Sequence, residues 1–232
     1  LFVDEYKLCM ELRSFLAVCP DLGRALSRLT IGRGGPRDLA AIRDGLVLTL
    51  EVRSLFKNQD LSDKSGLIVE AITNLGNHKE LASQLGNALA LTLPLITRDG
   101  GFVAAGYSAE LDSLVELRDE SRKLVVGLQL KYIEKTGIPS LKIRHNNVLG
   151  YFVEVTSANA HKMPVGNDTE FIHRQSLASA VRFTTIELGG LEGKINQAAE
   201  KALALEEQIF GSLVEKIKAQ EHKITMAARS LA

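Results

Sequence analysis

Between Leu141 and Ala158 the chain reads LKIRHNNVLGYFVEVTSA, a run that alternates apolar and polar residues in twos. Period two belongs to a half-buried strand, whose side chains point to opposite faces in turn. With Asn146–Gly150 as the loop, His145 falls opposite Tyr151, Ile143 opposite Val153 and Leu141 opposite Val155, so the apolar positions share a face. The other face pairs Arg144 with Phe152 and Lys142 with Glu154. Asn146, Asn147 and Gly150 suit a turn with left-handed backbone positions. A later run, ASAVRFTT, alternates as well, with Val181, Phe183 and Thr185 on one side and Ala180, Arg182 and Thr184 on the other. The spacing predicts a small antiparallel sheet with one apolar and one polar face.

Outside this insert the apolar residues recur in threes and fours, the period of a helix. Leu111, Leu114, Leu117, Leu124, Leu128 and Ile133 mark one helix from about Ser108 to Lys135, which at about 1.5 Å per residue spans on the order of 40 Å. After the insert, Leu188, Leu191, Ile195, Ala198, Ala202, Leu205 and Ile209 step alternately by three and four, a heptad seam. The seam runs on less strictly through Leu213, Ile217, Ile224 and Leu231, with Glu192, Lys194, Glu200, Lys201, Glu206 and Glu207 filling the polar side. Two long helices flanking one insert make an antiparallel pair within the chain the simplest arrangement. Upstream, Phe2–Val18 reads as a helix, and Asp21 caps a short one to about Leu29. Gly34 and Gly35 break the chain before Pro36, placed where a first-turn proline belongs, and Leu39, Ile42, Leu46, Leu50 and Leu55 form the next stripe. Helical segments over Ser65–Leu75 and Lys79–Leu91 follow, then a glycine-punctuated turn, TRDGGFVAAGYSAEL, with two short extended pieces. The fold class is mainly α: a helical core with long antiparallel helices and a small antiparallel β subdomain inserted between them.

Composition narrows the function classes. The 232 residues are 45% hydrophobic and 24% charged, an ordinary globular balance that can bury a sizeable core. Lys and Arg equal Asp and Glu at 28 each, so a contact with nucleic acid must be local. Cys9 and Cys19 lie on one helical stretch, about 15 Å apart by the helical rise and too far for a disulfide; both read as buried small hydrophobes. Reduced thiols without a secretory signal point to the cytoplasm, and no apolar run reaches the roughly 20 residues of a membrane span. The chain opens on LFVDEY without a start Met, as a piece of something longer would. No Ser-His-Asp, Cys-His or paired-carboxylate arrangement marks a catalytic site, and His161 and His173 lack a companion metal ligand.

The polar face of the insert is the remaining candidate. Between Ser140 and Leu188 stand Lys142, Arg144, Lys162, Arg174 and Arg182 against Glu154, Asp168, Glu170 and Glu187, a weak positive balance. FIHRQSLASAVRF concentrates His173, Arg174, Gln175, Ser176, Ser179 and Arg182, side chains suited to a sugar-phosphate backbone. A solvated sheet face, or an arm whose end binds an acidic protein partner, would use the same residues.

LKIRHNNVLGYFVEVT, FIHRQSLASAVRFTTIEL and KALALEEQIF resemble the clamp and returning lever of the MutS DNA mismatch repair family, and RLTIGRGGPRDLAAIRDGL and RDGGFVAAGYSAELDSL resemble its connecting core, in the same order. The resemblance implies that residues 1–138 form core and lever helices (outgoing lever about 108–136), 139–187 a β-rich clamp and 188–232 the returning lever. It further implies contact with the backbone of double-stranded DNA through Arg144, Asn146, Asn147, His173, Arg174, Gln175, Ser176, Ser179 and Arg182. Arg174, Gln175, Ser176 and Leu177 carry the family's RQ[ST]L pattern and Arg182 its ERY arginine, whereas Ala178 and Val181 depart from the Lys and Glu common there. Its other implied partners are a second copy of the parent protein and downstream repair factors. ATP and magnesium would belong to an ATPase elsewhere in the parent, so this segment is expected to hold no cofactor and to be no enzyme. Gly193-Lys194 is the nearest approach to a phosphate loop, but Leu188 and Ile195 stand at its first Gly and its Ser/Thr positions. The resemblance does not extend to the family's Phe-x-Glu mismatch-reading wedge; the Phe-x-Glu match Phe152-Val153-Glu154 falls in the alternating insert.

Overall fold

Some helix starts sit where the chain supplies a cap. In the computed structural model, which describes residues 5–57, 66–164 and 169–232, α1 covers Tyr6–Ala17 and α2 covers Leu22–Thr30. Phe2, Ser65 and Asp168, named in the sequence reading, lie outside these residues. The Asp21 carboxylate accepts the Arg24 N–H at 2.8 Å and so opens α2. α3, Pro36–Leu55, begins on its proline, with the Gly35 N–H donating to Asp38 at 2.8 Å and Arg28 closing on the same carboxylate at 3.0 Å. α4 covers Gly66–Asn74 and α5 covers Lys79–Ala88.

α5 stops short of the expected Leu91 because Leu89 turns extended and bridges Val103. This single bridge, with a 3-10 turn at Thr97–Asp99, replaces the two extended pieces read from the sequence. Two further helices follow later in the chain, α7 at Ile186–Lys218 and α8 at Glu221–Leu231. The heptad seam therefore does not run through one helix to Leu231: the chain breaks at Ala219 and Gln220.

The chain divides into two compact units. One comprises residues 1–108 and 203–232, the other 109–202. In the first, α3 is central, packing on α2 and α5, while α8 packs on α2 and α4. Leu39, Ile42, Leu46, Leu81 and Leu85 are fully enclosed there, and a neighbouring cluster joins Leu8, Leu48, Val52, Phe56 and Leu75. Gly45 lets α2 lie close: a Cβ at that position would run into the Leu22 side chain. Cys9 and Cys19 are free thiols and only partly buried, a correction to the buried reading; burial and the nearby Asp21 charge push the Cys19 thiol up.

The second unit contains α6, Ala109–Thr136, followed by a four-stranded antiparallel sheet and the first part of α7. The strands are β1 (Lys142–Asn146), β2 (Gly150–Thr156), β3 (Ile172–Ser176) and β4 (Ala180–Thr184), in the order β1-β2-β4-β3. The hairpin register is the one the alternation implies, with Ile143 opposite Val153, Arg144 opposite Phe152 and His145 opposite Tyr151. The apolar face closes on both helices in one cluster: Leu141, Val153, Val155 and Phe183 with Val125, Leu128 and Tyr132 of α6 and Leu188 and Ile195 of α7.

Along α6 the leucine stripe is buried only in part, at Leu111 and Leu128. Leu117 and Leu124 stand 48% and 58% exposed, while Ser121, Val125 and Tyr132 face inward. Val125, Leu128 and Tyr132 pack together in the core, where Tyr132 also reaches Thr185 with a 2.6 Å hydrogen bond. Burial pushes the Tyr132 phenol up to about 12, so it stays neutral. The Thr185 hydroxyl also accepts the Leu188 N–H at 3.0 Å, capping α7 as it leaves the sheet.

Candidate nucleic-acid interface

The polar face of the sheet is organised around one carboxylate. Across β1, β2 and β4 the register places Lys142 and Arg182 on either side of Glu154. Arg144 Nε lies 3.1 Å from Glu154 Oε1, and Arg182 Nε lies 3.0 Å from Oε2. Arg182 is held further: Nη1 donates to Gln175 Oε1 at 2.9 Å, and the guanidinium stacks over the Phe152 ring, 4.5 Å from its centroid. Its side chain is 20% exposed, against 55% for Arg144 and 18% for Glu154. Phe152 is buried although it lies on the polar face, because the Arg182 guanidinium covers it. Sequence alternation missed this hub, since it needs the register of a third strand.

The two edges of the sheet differ. At β1, the Ile143 N–H donates to Gln129 of α6 at 2.8 Å, so a helix side chain covers that edge. At β3 every residue is exposed. In the sequence these residues stand out by their polarity and carry no strand alternation. The ladder between β3 and β4 slips between His173 and Gln175, leaving Arg174 as an inserted residue. A bulge of this kind re-aims a side chain and blunts an edge against pairing with another strand. Arg174 is exposed and makes no ion pair among the described residues.

The other candidate residues divide into those held by their own fold and those left open. His173 Nε2 and Ser176 Oγ share a 2.9 Å hydrogen bond, and the His173 ring meets Phe183 edge-on at 5.8 Å. Asn146 Oδ1 accepts the N–H groups of Val148 and Leu149 at 2.9 and 2.8 Å, which spends its acceptor on the turn. Asn146 and Asn147 do not adopt the left-handed backbone expected of them; in this turn only Gly150 does, at φ 67°. The Asn side chain supplies the turn instead. A Cβ at Gly150 would meet the Glu192 carboxylate of α7, so the turn also needs glycine for closeness.

Asn147 and Ser179 are exposed. The Ser179 carbonyl accepts the Ser157 N–H at 3.1 Å, and Leu177 N–H bonds the Ala180 carbonyl at 2.8 Å, fixing the β3–β4 turn. Arg174, Asn147, Ser179 and the His173–Ser176 pair are thus presented outward, while Arg182, Gln175 and Asn146 are engaged internally. Among the described residues no group of three or more His, Cys, Asp or Glu is placed to hold a metal ion, and no helix is long and apolar enough to cross a membrane.

Residues 106–201, nearly the limits of the unit that carries the sheet, match the family described as MutS family domain IV. The whole chain is 48% identical over 237 aligned residues to the DNA mismatch repair protein MutS of Rhizobium meliloti (strain 1021). The chain belongs to the MutS family. Similar agreement is found with the proteins of the same description from Ruegeria pomeroyi, 47% identical over 99% of this chain, and Nitrobacter winogradskyi, 49% identical over 96%. The chain spans about a quarter of the length of these MutS relatives, 25%, 26% and 25% respectively. Its sheet therefore lies in the part of the family termed domain IV.

Proposed function

We propose that this chain is the central part of a DNA mismatch repair protein, and that the β3 edge with the β3–β4 turn contacts the sugar-phosphate backbone of duplex DNA. The observation that carries the reading is Arg174: an exposed guanidinium, without an ion pair among the described residues, set into a bulge on the open edge of the sheet. Beside it stand neutral donors, Ser179 and the His173–Ser176 pair, of the kind that position a protein on phosphates without reading bases; Asn147, exposed in the β1–β2 turn, offers another such donor at the opposite end of the sheet. Arg182 and Gln175 act beneath this surface by fixing β4 to β3, and Asn146 by shaping the hairpin turn.

In this reading residues 139–187 are a clamp, and α6 and α7 are levers that link it to an ATPase elsewhere in the longer parent. The segment itself performs no chemistry; ATP and magnesium belong to that motor. Two copies of the parent enclose the duplex, downstream repair factors read the state of the complex, and the protein works in the cytoplasm.

Titration of a fluorescein-labelled duplex at low salt tests the reading. Arg174→Ala should weaken binding equally on matched and mismatched duplexes, and should flatten the plot of log affinity against log salt by about 0.9, the value for one lost phosphate contact. Wild-type affinity in the variant, or a loss confined to mismatched DNA, would overturn it.

A further inference from the structure

We infer that Glu154 is an internal substitute for a DNA phosphate, from which the backbone takes Arg144 while Arg182 stays in place. The inference rests on the DNA-contact reading above and adds how that surface is regulated. A single carboxylate divides its two oxygens between two guanidinium groups, at 3.1 and 3.0 Å. That is the bidentate demand a phosphate would meet, and it leaves one positive charge of the trio unbalanced.

The two arginines are not held equally. Arg182 has a second hydrogen bond, to Gln175, a ring beneath it and little exposure. Among the described residues Arg144 has only the Glu154 contact, and it is 55% exposed. Exposed ion pairs contribute little and exchange readily, whereas a partly buried, multiply bonded guanidinium does not leave without uncovering Phe152. An approaching phosphate therefore competes for Arg144 alone.

Between encounters Glu154 keeps Arg144 ordered and lowers the positive field of the sheet, which fits a chain of zero formal net charge. Glu154 is thus a positioning residue that restrains affinity. Arg182 is the fixed floor of the site rather than a phosphate ligand.

The 232-residue chain, its Glu154→Gln variant, Glu154→Gln combined with Arg144→Ala, and Arg174→Ala are each titrated with a labelled matched duplex at low salt. Glu154→Gln should bind about threefold to tenfold tighter, the effect of removing one opposing charge near the surface. The double variant should lose that gain. Should Arg174→Ala weaken binding while Glu154→Gln does not tighten it, the phosphate-substitute idea is wrong and the DNA-contact reading survives. With neither variant differing from wild type, both are wrong.

A second readout avoids any dependence on the folding of the variants. In the unaltered chain, the Arg144 Nε–H resonance should move on addition of duplex while that of Arg182 stays. A static Arg144 signal beside a shifting Arg174 signal would contradict the exchange.

Discussion

Glu206 lies among Glu200, Lys201 and Glu207 in sequence, yet its side chain is 5% exposed. Its Oε2 accepts the Gly101 N–H at 2.8 Å, and Oε1 accepts those of Phe102 and Val103, each at 3.1 Å. A carboxylate here fixes a loop whose backbone has no other partner for these groups among the described residues, and Phe102 packs edge-on against Phe210 one turn further along the helix. Glu206→Ala should cost about 3 kcal/mol or more, since buried donors are left unpaired. Glu206→Gln should cost about half as much, because one oxygen remains and only Gly101 faces a second donor. Urea midpoints of the two variants check the order. None of this was legible in the heptad pattern, which placed Glu206 on the polar side. Its partners lie more than a hundred residues away, beyond the reach of any local period. The same limit hid the Glu154 hub, although both of its arginines were already candidates.

The hairpin was the most legible part of the fold. Only one register of β1 on β2 puts Leu141, Ile143, Val153 and Val155 together, so period two sufficed. The buried stripe of α6 was less legible, because Leu124 and Val125 are both apolar and the packing of Val125 with Leu128 and Tyr132 against the sheet separates their faces. β3 carried no alternation to read: all its residues are exposed and its bulge breaks the period. α7 was readable as a helix despite Gly189, Gly190 and Gly193 in its first turns. Those glycines are exposed, and nothing lies within 4 Å of a Cβ built on any of them. Gly190→Ala should therefore stabilise the chain by about 0.5–1 kcal/mol, read as a rise of about 2 °C in the melting temperature. Gly150 is the opposite kind of glycine, required by both its φ and the Glu192 carboxylate.

The chain as a whole is mainly α with a small antiparallel sheet, as its two periodicities indicate, and it belongs to the MutS family. α7 contributes residues to both compact units as one uninterrupted helix, which suits the proposed role of a link between a DNA-facing sheet and the rest of a longer protein. The function rests on the claim that the outer edge of the sheet meets the DNA backbone without reading its bases. Backbone amide spectra of the 232-residue chain, recorded with two matched duplexes of unrelated sequence, test this residue by residue. The account predicts that both duplexes perturb the same amides, those of His173–Ser179, and that added salt reverses the shifts. Perturbations that change with the DNA sequence, or that leave this edge untouched and fall on residues 5–57, would contradict it.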